Sequence, residues 1–134
     1  MEIQEETMTL FDQDKAYVLD YLKLRRVTNR ELRKIVKKNP FGLLKDTSFF
    51  IGEEEYGISH FLSKSEVMGY DIQKVNAMLG TDEMGVIAFA IVVGDDVLCY
   101  DIKNKTVFLW KVQTGGGERL TVSDNLSAFL KTLD

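Results

Sequence analysis

Three kinds of residue in this 134-residue chain have the chemistry to act on another molecule: one histidine, one cysteine and several close-set carboxylates. His60 sits in Ile58-Ser59-His60-Phe61-Leu62, a branched and aromatic run, and a single histidine cannot build a multi-histidine metal site. A lone His in such a stretch reads as a half-buried structural residue rather than a general base. Cys99 sits in Val97-Leu98-Cys99-Tyr100 with no His or Arg beside it to lower its pKa, so it reads as a small core residue and not as a nucleophile. One cysteine also forms no internal disulfide and no multi-cysteine zinc site. Gly115-Gly116-Gly117 lacks the following Lys-Ser or Lys-Thr of a phosphate-binding loop and reads as a flexible connection. No catalytic residue, metal ligand or cofactor is expected.

The carboxylates are Glu53-Glu54-Glu55, Asp82-Glu83 and Asp95-Asp96, with Asp101 nearby. Paired carboxylates suit acid/base work or a cation. Adjacent residues of a strand point to opposite faces, however, and the spacing fits no calcium loop. Turn chemistry alone explains Gly94-Asp95-Asp96. Beside plain solvated turns, the clustering of acids in three separate loops, apart from the basic run, suits a distributed acidic surface used for binding a protein partner. Its expected contacts are Glu53, Glu54, Glu55, Asp82, Glu83, Asp95 and Asp96, with Tyr56 or Tyr70 as aromatic anchors.

Opposite in sign, residues 25–38 carry Arg25, Arg26, Arg30, Arg33, Lys34, Lys37 and Lys38 against Glu31 alone. The net charge is -4, and from residue 39 onward acids outnumber bases, so the chain is polarised. A nucleic-acid binder is usually basic overall and interleaves aromatics with its cations. This run does neither. Nucleic-acid binding through residues 25–38 is therefore the alternative to an ordinary amphipathic helix that turns Leu32, Ile35 and Val36 to the core.

The elements that must position these groups follow from periodicity. Residues 1–12 show no clear period and read as a loosely ordered lead-in. Val18, Tyr21 and Leu22, with Tyr17 beside them, predict a helix over 13–24. Thr28 and Glu31 form a capping box for a second helix, which Pro40 stops. Residues 48–51 and 58–62 predict strands. Ile72, Val75, Met78 and Leu79 predict a third helix between an Asp71 N-cap and Gly80. Residues 85–93, 97–102 and 106–112 are strands joined by tight polar turns, an antiparallel meander. Residues 113–118 read as a loop, and Ser123 as the N-cap of a final helix carrying Leu126, Phe129, Leu130 and Leu133. Helices, strands and helices without a βαβ repeat give the class α+β. The sheet is mostly antiparallel, the central meander plus one or two further strands, packed with N-terminal, middle and C-terminal helices.

Composition fits that class: 45% hydrophobic and 28% charged residues suffice for one core over residues 1–134. The longest apolar run, residues 86–93, is far short of a membrane span. The acidic opening, Met1-Glu2-Ile3-Gln4-Glu5-Glu6, is the reverse of a secretory signal, so a cytoplasmic protein is expected, monomeric or homodimeric and without membrane contact.

The order of elements from 27 to 133 resembles the SUKH superfamily, which holds yeast cell-wall-assembly regulators and many bacterial immunity proteins. The segment from Thr28 to Gly42 is similar to that family's early helix and turn, and Tyr56-Gly57-Ile58-Ser59-His60-Phe61-Leu62 to its middle stretch. Val86-Ile87-Ala88-Phe89-Ala90, Gly94-Asp95-Asp96, Cys99-Tyr100-Asp101, Val107-Phe108-Leu109-Trp110 and Phe129-Leu130-Lys131-Thr132-Leu133 resemble its later strands, turn and closing helix. The chain departs from it in having Val27-Thr28 for a Leu-Pro opening and Pro40-Phe41 within the Asn-Gly turn. The resemblance implies a non-enzymatic immunity protein that occludes a cognate toxin, often a nuclease, with carboxylates presented where the toxin expects phosphates. A regulatory scaffold or self-associating domain is the alternative it carries.

Overall fold

The computed structural model describes residues 2–64 and 71–133. Along the chain run helices α1 (Glu2–Leu24) and α2 (Arg30–Lys38), a 3-10 turn (Pro40–Gly42), and strands β1 (Leu43–Ile51) and β2 (Glu54–Phe61). Helices α3 (Ile72–Leu79) and α4 (Thr81–Met84) follow, then strands β3 (Val86–Val92), β4 (Val97–Asp101), β5 (Thr106–Lys111) and β6 (Glu118–Ser123), and helix α5 (Leu126–Lys131). The six strands pair in chain order, every neighbour antiparallel, so the class is α+β. The expected meander forms its middle. The sheet exceeds the expectation by β6, which fills the interval between the expected loop at 113–118 and the expected cap at Ser123.

Helix α1 begins at Glu2, not Gln13, so most of the expected lead-in is helical. Its inward stripe is Phe11, Asp14, Val18, Tyr21 and Leu22, continued by Arg25 just past its end, all buried. Two charged residues lie on that buried side, each with partners inside the fold. The Asp14 carboxylate accepts the Lys64 amide at 2.8 Å. Arg25 donates to Tyr21 Oη at 2.7 Å, Thr81 Oγ1 at 3.3 Å and the Val86 carbonyl at 2.5 Å.

Two caps move by one or two residues. Helix α2 is capped by Asn29, not Thr28: its side chain accepts the Leu32 amide at 2.9 Å and donates to Ser127 Oγ at 2.9 Å, tying α2 to α5. Asn125, not Ser123, caps α5 by accepting the Ala128 amide at 2.9 Å, while Ser123 Oγ accepts the Asn125 amide. In both cases an Asn beyond the expected Thr or Ser has the same capping chemistry and the better reach. Asp71 caps α3 as expected, accepting the Gln73 and Lys74 amides, and also accepts the Tyr17 hydroxyl at 2.7 Å.

Strand β3 is buried along its whole length, which matches its almost uninterrupted apolar sequence. It outruns β2, whose last pair is Phe61 with Ala90. Beyond that point Asn76 of α3 takes both backbone groups of Ala88, donating to its carbonyl at 3.0 Å and accepting its amide at 2.8 Å. Thr81 donates to the same Asn76 oxygen at 2.6 Å. A fully buried amide side chain thus replaces a strand partner, which a buried backbone requires. At the start of β1, Gly42 has φ +74, and a Cβ there would sit 2.1 Å from the Phe61 carbonyl, so no larger residue fits the approach of the turn to β2.

Candidate functional site

The register places the acidic groups at two opposite ends of the sheet. The β1–β2 turn, the β3–β4 turn and the β5–β6 loop share one end, because Ile51 pairs with Glu54, Ile91 with Val97 and Lys111 with Glu118. Glu53, Glu54, Glu55, Asp95 and Asp96 therefore gather there. Asp82 and Glu83 lie in α4, which leads into β3 at the other end. The seven acids do not form one face.

At the first end, Glu53, Glu54 and Glu55 are all exposed. Strand alternation sends the last two to opposite sides of β2. Glu54 accepts the Tyr56 hydroxyl at 2.6 Å, and Glu55 accepts Ser48 Oγ at 2.7 Å. Tyr56 is half-buried rather than a free anchor: its ring stacks on Phe49 at 5.6 Å between centroids, and Lys111 Nζ lies 5.7 Å from it. The hydrogen bond to Glu54 is the main cause of its raised phenol pKa. Tyr70 lies outside the described residues.

Asp95 is exposed in the β3–β4 turn, but Asp96 is not a surface acid. It is 4% exposed and accepts the backbone amides of Gln113 and Thr114 at 2.8 and 3.1 Å as well as the Thr114 hydroxyl. Burial acts to raise its pKa; the bonds from Thr114 and Gln113, with the nearby Lys111 charge, outweigh burial and hold it below the ordinary 3.8. Asp96 clamps the β5–β6 loop to the β3–β4 turn and is unavailable to a partner. At the far end, Asp82 is exposed and pairs with Arg25 Nε at 3.3 Å; Glu83 is exposed.

The two groups weighed for chemistry both lie in the core. Cys99 is fully buried, and burial pushes its thiol up to about 12. His60 is 3% exposed in β2, with Ser59 Oγ 3.0 Å from Nδ1; burial lowers its pKa, and the Asp95 charge acts against that. Among the described residues no three His, Cys, Asp or Glu side chains come together to hold a metal ion, and no helix is long and apolar enough to cross a membrane.

On α2, Arg30, Arg33, Lys34, Lys37 and Lys38 are all exposed, with Leu32, Ile35 and Val36 buried beneath them as expected. Glu31 approaches Lys34 at 3.8 Å.

One feature has no counterpart in the sequence reading. The edge strands β1 and β6 curl toward each other without pairing, and between them and α5 runs a groove of about 540 Å³. Phe49, Val122, Ala128 and Phe129 give it an apolar floor, and Phe50 stands at its rim, 60% exposed. Phe49 meets Phe129 edge-on at 5.7 Å. The sequence signal was the uncharged run Thr47-Ser48-Phe49-Phe50-Ile51, which marks a strand but not an edge.

Compared with family models, curated proteins and solved structures, the chain matches none.

Proposed function

We propose that this chain is a non-enzymatic binding domain of the immunity-protein kind, which occludes a basic surface of a cognate toxin through the acidic end of its sheet. One observation carries the reading: Glu53, Glu54 and Glu55 stand exposed on a hairpin, with Asp95 exposed in the adjacent turn of the same sheet end. Glu54 and Glu55, held by the Tyr56 and Ser48 hydroxyls, lose less freedom on binding than unheld side chains, and the field of the group speeds the approach of a cationic partner. The buried positions of Cys99 and His60 support binding rather than catalysis. The contact set is narrower than the sequence reading had it, since Asp96 is engaged within the fold and Asp82 and Glu83 lie at the far end.

The test is affinity capture from the source organism, with the wild-type domain and the triple reversal Glu53→Lys, Glu54→Lys and Glu55→Lys as paired baits. A stoichiometric partner bearing a toxin domain, retained by the wild type and lost by the variant, is the expected result. A toxin held equally by both baits removes the hairpin from the account; a cell-wall or signalling partner transfers it to the scaffold reading.

A second reading rests on the exposed cations of α2. Binding of a DNA or RNA duplex that weakens steeply with salt, and is lost on replacing Arg33, Lys34, Lys37 and Lys38 by Ala, would establish it.

A further inference from the structure

We propose that the β1–β6 groove receives an extended peptide segment that adds as a strand along Ser48–Ile51 of the edge strand β1, its apolar side chains entering the groove and its Lys or Arg side chains meeting the acids around it. The proposal rests on the binding reading for its acidic rim, but it does not require the partner to be a toxin.

The first argument is the edge. A strand at the rim of a sheet presents a row of backbone donors and acceptors, and proteins guard such rows with charges, prolines, bulges or a covering element. The start of β1 is guarded in this way: its register shifts between Leu43 and Thr47, and Asp46 takes φ +50 there. From Thr47 to Ile51 the register is regular and the sequence has no charge, proline or glycine. Phe50 stands exposed on this stretch. Across the groove, β6 is likewise uncharged from Leu120 to Ser123 and has no strand on its outer side among the described residues.

The second argument is shape. Residues of an added strand alternate in direction, so every other side chain would point into the groove, where Phe49, Val122 and Phe129 offer an apolar floor. The hydroxyls at its sides are already occupied: Ser48 donates to Glu55, Ser123 to the Asn125 carbonyl and Thr132 to the Phe129 carbonyl. The groove is thus prepared for apolar side chains and main chain rather than for a polar small molecule.

The third argument is charge, which selects the flanks of that peptide. Around the groove, on β1, its hairpin, β6 and the start of α5, the exposed acids are Asp46, Glu53, Glu54, Glu55, Glu118 and Asp124. Against them the described side chains supply Lys131, Arg119 and Lys111, the register partner of Glu118. Arg119 lies 5.2 Å over the Phe108 ring and 4.9 Å over Trp110. An apolar segment with basic flanks is the complementary occupant. A second copy of this chain pairing edge to edge offers the wrong sign, because Asp46 and the hairpin acids flank the same stretch of its own β1.

The experiment is titration of the full chain with a synthetic peptide of alternating Val and Thr flanked by Lys at both ends, followed by amide chemical shifts. Saturable binding is expected, with shifts confined to residues 47–51, 118–123 and α5. N-methylation of alternate peptide amides should abolish it, since the contact is main-chain pairing. Phe50→Lys, at an exposed site that the fold does not need, should weaken it by about tenfold by guarding the edge. Lack of saturable binding, shifts that map instead to α2, or binding indifferent to N-methylation would each overturn the proposal. Because the probe is a defined peptide, its failure leaves the toxin-capture result standing, and a failed capture leaves the groove result standing.

Discussion

Glu55 and Asp96 lie at the same end of one sheet, both in short acidic runs beside a tight turn, and they do opposite work. Glu55 is exposed and holds only the Ser48 hydroxyl. Asp96 is buried and gathers two amides and a hydroxyl from a loop seventeen and eighteen positions away. The difference comes from what faces each residue. Glu55 faces a hydroxyl of its own hairpin, whereas the β3–β4 turn meets the glycine-rich β5–β6 connection, whose Gln113 and Thr114 amides Asp96 accepts. A carboxylate is therefore an interaction surface in one turn and a structural clamp in the next.

The largest effect that sharpens this contrast is Asp96→Ala, which leaves two loop amides and a hydroxyl without their acceptor and is expected to cost about 3 kcal/mol in chemical denaturation. Cys99 supplies a second readout. With its thiol buried and pushed up to about 12, alkylation at mildly alkaline pH proceeds only through opening of the fold. Its alkylation rate should rise in Asp96→Ala in step with the lost stability; an unchanged rate and midpoint would reduce the clamp to an ordinary surface turn.

The next effect is a pH dependence. The folded pKa of Asp96 lies below the ordinary 3.8, so its ionisation stabilises the protein fully above that value and the contribution is lost as pH falls through the folded pKa. Buried Asp14, whose pKa is raised mainly by burial, has the opposite sign: what it contributes is present below 3.8 and lost as pH rises through its folded value. The two partly cancel in the wild type. The stability gap between wild type and Asp96→Asn isolates the first, and it should narrow as pH falls below 3.8. A constant gap would break the argument.

The smallest effect is expected at the hairpin. Glu54→Gln with Glu55→Gln should alter stability by no more than about 0.5 kcal/mol and leave the Cys99 alkylation rate unchanged, since exposed polar contacts contribute little. A loss comparable to that of Asp96→Ala would make both turns structural.

The contrast also marks where sequence reading succeeded and where it stopped. Elements whose burial follows simple periodicity were legible: β3 from its apolar run, α2 from Leu32, Ile35 and Val36, and α3 from its Asp71 cap and the Gly80 stop. Charged residues that serve the interior were not. Residues 2–10 of α1 set Glu2, Gln4, Glu5, Glu6, Thr7 and Thr9 among only a few apolar residues, so its first half had no visible period. Asp96 stands in a Gly-Asp-Asp turn whose composition is equally well explained by solvent. Strand β6 alternates half-buried Leu120 and Val122 with exposed Arg119 and Thr121, but the glycine run before it suggested a loop. Of the acidic surface, the exposed hairpin was legible because Glu53-Glu54-Glu55 has no other use nearby. The groove was not, because an edge exists only once the order of strands is known.

The bonds from Asn76 to Ala88 have a consequence for how the molecule assembles. They make a helix side chain part of the sheet's own hydrogen-bond system at the point where β2 gives out. The sheet cannot satisfy its most buried strand until α3 has docked, and Asn76, held toward it by the Ile72 carbonyl and the Thr81 hydroxyl, completes its own bonds there. Helix and sheet are bound into one cooperative unit, so the Ala88 amide should exchange its proton with solvent only when the two come apart together.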